Sequence, residues 1–372
     1  MSVRATLFAV VILLLLALGW MGRGRLREKA PSAGPVDSLV KAEAQAKPRL
    51  ARRSISSPVS ESIEAELAES LGQRLARMDR GDFTNVTLTR FEIARFLELN
   101  HTNSSSLIAA FEASRDKEYL RYAAEQFPQD PTVQGQVLLN NAIPERRQEM
   151  IEALKRSDPQ NSLANFLGAT ERLKAGDFQG ALQEMQGAQG KSFNDFYRNA
   201  ALGLEEAYAA AGRPPAEAKA FGGAEILLPE LAPIKNLAQK MVEQAQEMSR
   251  QGDGEGARAA LDWTWEMGWQ LRESGRQGTI LCNLVGLAVQ NISLQKMDGS
   301  SAPDYLGRSV QEEIAANKVY REGIKEDTAF FGSWLPSATD QELISYFDRM
   351  KILGEKEAMR WIRERRPELE KR

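Results

Sequence analysis

The sequence contains very few cysteine and histidine residues, the types that often act in catalysis and metal binding. Its 372 residues include one cysteine, Cys282, and one histidine, His101. A single cysteine excludes an intrachain disulfide, and one residue of each type cannot build a zinc site from cysteine and histidine ligands. Every catalytic triad that pairs a serine or cysteine with a histidine would depend on His101 alone. The two counts therefore exclude most disulfide-stabilised, zinc-binding and triad-based classes.

The surroundings of these two residues indicate structural roles. His101 lies in a polar stretch, residues 100–106, that is typical of a loop leading into a helix N-cap. Cys282 lies in an apolar run, residues 280–292, where a thiol is normally buried, with a raised pKa and little reactivity. We therefore predict no catalytic residue, no metal site and no cofactor, in a protein that is not an enzyme.

Charge is divided unevenly along the chain. Residues 22–58 contain nine basic and three acidic side chains, a net charge of +6, and Arg4 adds one more positive charge. Because the whole chain carries −3, residues 59–372 carry −10. An acidic body repels a phosphate backbone, so we expect no nucleic-acid binding.

A long apolar run lies near the N-terminus. Ala5 to Met21 is 17 residues without a charge, which is the shortest length at which a helix spans a bilayer. A cleavable signal peptide is the alternative, but the small residues Ala17 and Gly19 are followed by Trp20, which suits a membrane interface better than a cleavage site. We interpret residues 1–22 as a transmembrane anchor or signal sequence, and favour the uncleaved single-pass anchor.

Residues 23–60 form a basic segment with scattered prolines and no apolar period, which predicts a flexible linker. Basic residues directly after the apolar run would hold this flank in the cytoplasm under the positive-inside rule. Long downstream domains, however, cross membranes largely regardless of charge. We predict a body on the exported side, periplasmic or extracytoplasmic.

From residue 61 onward, apolar residues recur at spacings of three and four. Leu237, Met241, Ala245 and Met248 form one such stripe, and similar stripes occur along the rest of the chain. This is the period of helices that bury one face. Glycine and Asp-Pro stop signals separate the stripes, so the pattern predicts an all-α body of helices joined by short turns.

One turn motif occurs twice. Residues 176–181 and 252–257 share Gly, Asp, Gly and Ala at the same offsets. The first Gly can end a helix in the left-handed conformation, the Asp can cap the next helix, and the small Ala lets the two helices approach. Residues 158–188, in which Pro159 and Gly176 are 17 residues apart, resemble a tetratricopeptide repeat. The resemblance implies helix hairpins stacked in an α-solenoid.

The repeats are irregular. The turn glycines Gly176, Gly212 and Gly252 are 36 and 40 residues apart, whereas the family repeats every 34. The resemblance covers residues 104–267, and we assign residues 61–300 to the repeat region and residues 301–372 to a C-terminal helical cap.

The resemblance implies a membrane-anchored protein–protein interaction or assembly scaffold, which would hold a protein or peptide partner in a groove lined by first helices. The oligomeric state stays open. In the register of the repeat, the predicted partner-binding residues are Thr170, Lys174, Gln239, Glu243, Gln246 and Arg250.

A carboxylate-dependent glycoside hydrolase or lyase on an α/α toroid is the alternative function. It needs two converging acids, with tryptophans that stack on sugar rings. The densest aromatic cluster consists of Trp263, Trp265 and Trp269, and aromatic residues at helical spacing usually belong to the core. Whether any carboxylates converge is a question that the sequence leaves open.

Overall fold

A computed structural model describes residues 70–78, 87–224, 228–276, 278–297 and 307–365. These residues form sixteen α-helices and no strand, so the predicted all-α class is confirmed. Within the described ranges, each helix is too short or too polar to cross a membrane. The predicted anchor and linker, residues 1–60, lie outside those ranges.

The helices follow one another with short connections. Their bounds are α1 Leu71–Met78, α2 Arg90–Leu99, α3 Ser104–Ser114, α4 Glu118–Gln126, α5 Pro131–Leu139, α6 Arg147–Ser157, α7 Leu163–Lys174, α8 Phe178–Gly187, α9 Tyr197–Ala210, α10 Pro215–Ala224, α11 Leu231–Arg250, α12 Gly254–Arg276, α13 Ile280–Leu294, α14 Val310–Trp334, α15 Asp340–Leu353 and α16 Glu355–Glu364.

The repeated turn motif folds as its chemistry predicts. Gly176 and Gly252 have φ of +77° and +89°, the left-handed conformation that favours glycine at a helix end. The carboxylate of Asp177 accepts the Gly180 N–H at 2.8 Å, and that of Asp253 accepts the Gly256 N–H at 2.9 Å. Each motif therefore ends one helix and caps the next, which produces the hairpins α7–α8 and α11–α12.

These two hairpins pack directly on each other. First helix α7 contacts first helix α11, and second helix α8 contacts second helix α12. The hairpin α9–α10 lies between them in sequence but packs elsewhere, with α9 on α3 and α10 on α15. The neighbours in space are thus the two segments with the strongest repeat motif, and the intervening hairpin is displaced from the stack.

The helix contacts also form a closed circuit. The contact between α15 and α10 is accompanied by an ion pair between Lys219 and Asp348, which are 129 residues apart. A second ion pair joins Lys351 of α15 to Glu205 of α9. Taken in order of contact, the helices of the circuit are α3, α4, α5, α6, α7, α11, α13, α14, α16, α15, α10 and α9, which packs on α3.

The closest helix approach is between α12 and α13. A Cβ atom built on Gly286 of α13 would lie 2.6 Å from the Gly268 carbonyl oxygen and 2.8 Å from the Arg272 backbone nitrogen of α12. A Cβ on Gly268 would lie 2.7 Å from the Gln290 backbone nitrogen. Because these contacts are with backbone atoms, the two helices can pack this closely only with glycine at both positions.

A polar network holds α14 against the α12–α13 pair. One guanidinium nitrogen of Arg272 donates to Gln290 at 3.1 Å and to Asn317 at 3.0 Å, and the guanidinium lies over the Tyr320 ring. Gln290 and Asn317 are fully or almost fully buried. Buried polar groups need partners to offset their lost hydration, so these bonds fix the orientation of α14.

Candidate functional site

Four of the six predicted partner-binding residues lie in one stripe along α11. Gln239, Glu243, Gln246 and Arg250 are spaced at four, three and four, and lie on one flank of the helix, beside the face that is buried in the core. Gln246 is half-buried, and the other three are exposed. The stripe is therefore available to solvent over three turns of the helix.

The other two predicted residues lie on α7, which packs against α11. The Thr170 hydroxyl donates to the Phe166 carbonyl of its own helix at 2.8 Å, and its side chain is half-buried. Lys174 is exposed and pairs with Glu171 at 2.9 Å. The charged group of Lys174 is exposed and can contact a partner, whereas the Thr170 hydroxyl already donates its hydrogen bond to the backbone.

The α11 stripe leads into a cleft at the turn end of the α11–α12 hairpin. The cleft has a volume of about 510 Å³ and is bounded by the end of α11, the start of α12 and the residues that follow α13. We call it the hairpin cleft. Its polar lining consists of Gln246, Ser249, Arg250, Arg258, Asp262 and Lys296.

The charges of the hairpin cleft are predominantly positive. Three cationic side chains face one carboxylate, that of Asp262. The Arg258 Nε lies 3.8 Å from the Asp262 Oδ2, which is too long for a hydrogen bond. Arg250 pairs at 3.2 Å with Glu247, which does not line the cleft. The cleft is thus a cationic opening on a body whose sequence is acidic.

Two of the predicted partner-binding residues, Gln246 and Arg250, line the hairpin cleft, whereas the residues of its facing wall were not among the predictions. Arg258 and Asp262 stand one turn apart on α12 and meet α11 across the Gly252 turn. Because the repeat register assigns partner contacts to first helices alone, it passed over these residues of the second helix. Lys296 follows α13, and no repeat motif in the sequence points to it.

A second group of titratable side chains consists of acids with raised pKa values. We call it the acidic centre, and it consists of the carboxyl groups of Glu112, Asp195, Glu230 and Glu355. Glu112 belongs to α3, Asp195 precedes α9, Glu230 is the N-cap of α11, and Glu355 begins α16. The centre therefore joins carboxyl groups from four separate elements.

Burial raises the pKa of all four carboxyl groups above the ordinary range. Glu230 is 2 % exposed, and neither of its carboxyl oxygens has a hydrogen-bond partner among the described residues. The negative charges of Asp195 and Glu112 raise its pKa further. Glu112 differs because it pairs with Arg115, whose charge opposes the effect of burial on the pKa of Glu112. Glu230 is thus the least compensated acid of the centre.

Within the acidic centre, the charges of Asp195 and Glu112 act on Glu230. A general acid must nevertheless reach the bond that it cleaves, and both Glu230 carboxyl oxygens are shielded from solvent. Glu112 and Glu230 are buried in the core, whereas Asp195 and Glu355 are half-buried. The glycoside hydrolase or lyase stays a prediction.

The remaining predicted positions are distributed between surface and core. His101 is exposed in a turn, with a left-handed φ of +52°. Cys282 is buried and its thiol donates to the Leu271 carbonyl, while burial raises its pKa well above the ordinary value. Trp263 packs against the core, whereas Trp269 is 42 % exposed and departs from the predicted core stripe.

Over the described ranges, no three of the His, Cys, Asp and Glu side chains are placed to share a metal ion. Among the described residues, the hairpin cleft is an open site, whereas the Glu230 carboxyl of the acidic centre is closed to solvent. Comparison of the chain with known protein families, with curated proteins and with solved structures gave no match.

Proposed function

We propose that this protein is a membrane-anchored scaffold that binds a protein or peptide partner along α11 and in the hairpin cleft. The observation that carries the proposal is the exposed stripe from Gln239 to Arg250, which ends in a cleft of about 510 Å³. Exposed polar residues in a continuous line, next to a concave opening, are suited to holding an extended segment or a helix.

The packing of α7–α8 on α11–α12 supports the same proposal. In a tetratricopeptide-like solenoid, first helices lie side by side and their polar faces line the concave groove. Here α7 lies beside α11, which puts Lys174 on the helix that neighbours the stripe. The proposed groove is therefore short, formed by two first helices rather than by a long array.

Replacing the stripe residues tests the groove. We expect the combined variant Gln239→Ala, Glu243→Ala, Gln246→Ala and Arg250→Ala to recover at least tenfold less partner than the unaltered protein. The loss follows because these side chains supply the hydrogen bonds and charges of the groove. The measurement is quantitative affinity co-purification of the detergent-solubilised full-length protein.

A matched control lies on the same helix. Lys240 and Gln244 are exposed on the other flank of α11, and Lys240→Ala with Gln244→Ala should leave recovery unchanged. Equal recovery of the partner by the stripe variant and this control would show that the α11 stripe does not bind the partner. The absence of any stoichiometric partner for the unaltered protein would count against the scaffold itself.

Membrane attachment has its own test. The uncharged run from Ala5 to Met21 should retain the full-length protein in membranes washed with alkaline carbonate, and a variant without residues 1–22 should be released. Protease added outside intact cells or spheroplasts should then cleave the body, because we place it on the exported side. Release of the full-length protein by carbonate would contradict the anchor, and protection from the protease would contradict the exported location.

A further inference from the structure

The hairpin cleft has the properties of a site for acidic peptide, and this inference rests on the proposed scaffold function. Three cations, Arg250, Arg258 and Lys296, line an opening that contains one carboxylate. The rest of the body is acidic, since residues 59–372 carry −10. A local reversal of charge on such a body favours ligands of negative charge and repels those of positive charge.

The cationic groups of the cleft retain unused hydrogen-bonding capacity. The pair between Arg258 and Asp262 is 3.8 Å long, and Arg250 pairs with Glu247, which does not line the cleft. Within the described ranges Lys296 makes no ion pair. Incoming carboxylates could therefore bind all three side chains without first breaking a buried bond.

The base of the cleft is apolar. It is formed by Ala245, Ala257, Leu261 and Met297, of which Met297 is flexible enough to adjust to different side-chain shapes. A volume of about 510 Å³ is within the range of small-ligand sites, roughly 300 to 1,000 Å³, and is too small for a whole helix. The space fits one apolar side chain of a segment together with its neighbouring carboxylates.

We infer that the hairpin cleft binds an acidic segment of the partner protein, in which an apolar residue is flanked by aspartate or glutamate. The apolar side chain would lie on Leu261 and Met297, and its acidic neighbours would bind Arg258 and Lys296. The α11 stripe would then hold the adjoining part of the same partner.

Site-specific photo-crosslinking tests the inference in the full-length protein in its native membrane. A photoreactive residue replaces Ser249, which lines the cleft, or Gln239, which lies on the stripe outside it, or Gln126 of α4 as a distant control. We expect the first two probes to form adducts with the same partner, and the Gln126 probe to form none with it. The Ser249 adduct should map to a peptide with at least two acidic residues.

Charge reversal supplies the second measurement. Arg258→Glu with Lys296→Glu should lower the yield of the Ser249 adduct at least tenfold, whereas Arg258→Lys should retain most of it. Both side chains line a solvent-facing cleft, so the helical circular dichroism signal should be unchanged. A Ser249 adduct with a lipid, with the chain itself or with a segment that lacks acids would overturn the inference, as would an unchanged yield after charge reversal.

The two probes separate this inference from the scaffold function. Adducts at Gln239 but none at Ser249 would contradict the acidic-segment site and still support the scaffold function. Adducts at neither position would contradict both the site and the function on which it rests.

Discussion

Replacing Gly286 by alanine is expected to destabilise the protein by about 3 kcal/mol, the upper end of the cost of overpacking a core. The added methyl group would meet the Gly268 carbonyl oxygen at 2.6 Å and the Arg272 backbone nitrogen at 2.8 Å. Flexible side chains could rotate away, but backbone atoms of α12 cannot move without separating the two helices. The valine variant should yield no folded protein.

Two glycines of α14 provide the control. A Cβ built on Gly323 or Gly332 meets no other atom within 4 Å, so alanine there should be neutral or stabilise the helix by up to about 1 kcal/mol. Urea unfolding followed by circular dichroism compares the variants. If Gly286→Ala and Gly323→Ala unfold at the same urea concentration, α12 and α13 do not meet through their glycines.

Replacing Glu230 by glutamine is expected to stabilise the protein at alkaline pH. The buried Glu230 carboxyl has no hydrogen-bond partner among the described residues, and its pKa is raised well above 4.5 by burial and by the charges of Asp195 and Glu112. An uncompensated buried charge costs roughly 3 kcal/mol or more. Glutamine has nearly the same shape and stays neutral, so this cost disappears at a pH where Glu230 would ionise.

The direction of the pH effect follows from proton linkage. Above the ordinary carboxyl pKa, the unfolded chain releases the proton of residue 230 while the folded protein retains it. The unaltered protein therefore loses stability as pH rises from the ordinary pKa through the raised pKa of Glu230. The advantage of Glu230→Gln should be about zero near pH 4 and grow with pH to about 3 kcal/mol.

Glu243, exposed on the same helix, supplies the matched control. The difference in unfolding free energy between Glu243→Gln and the unaltered protein should not change with pH in the way expected for Glu230→Gln. Urea unfolding at pH 5, 7 and 9 measures both differences. A constant difference for Glu230→Gln across this range would mean that the carboxyl group is not held neutral by its surroundings.

The sequence predicted the features of the fold that depend on local chemistry. Gly176 and Gly252 end helices in the left-handed conformation, and Asp177 and Asp253 cap the next ones. These outcomes follow from backbone sterics and from hydrogen bonds between residues three apart in sequence. Burial of Cys282 also follows locally, from the apolar run around it.

The long-range arrangement was not predictable in the same way. The displacement of α9–α10 from the stack depends on contacts with α3 and α15, which are far away in sequence. The acidic centre likewise combines carboxyl groups from elements that are far apart in sequence. In the hairpin cleft, Gln246 and Arg250 were found by register, whereas Lys296 joins them only through the packing of α13.

The closed circuit has a consequence for how the chain folds as it is synthesised. Lys219 on α10 pairs with Asp348 on α15, 129 residues later. At a synthesis rate of about 5 to 20 residues per second, roughly 6 to 26 seconds pass between the synthesis of Lys219 and that of Asp348. During this interval the face of α10 that α15 covers is open to other molecules. Protection of that face by a chaperone would decide how much of the newly made protein reaches the closed state.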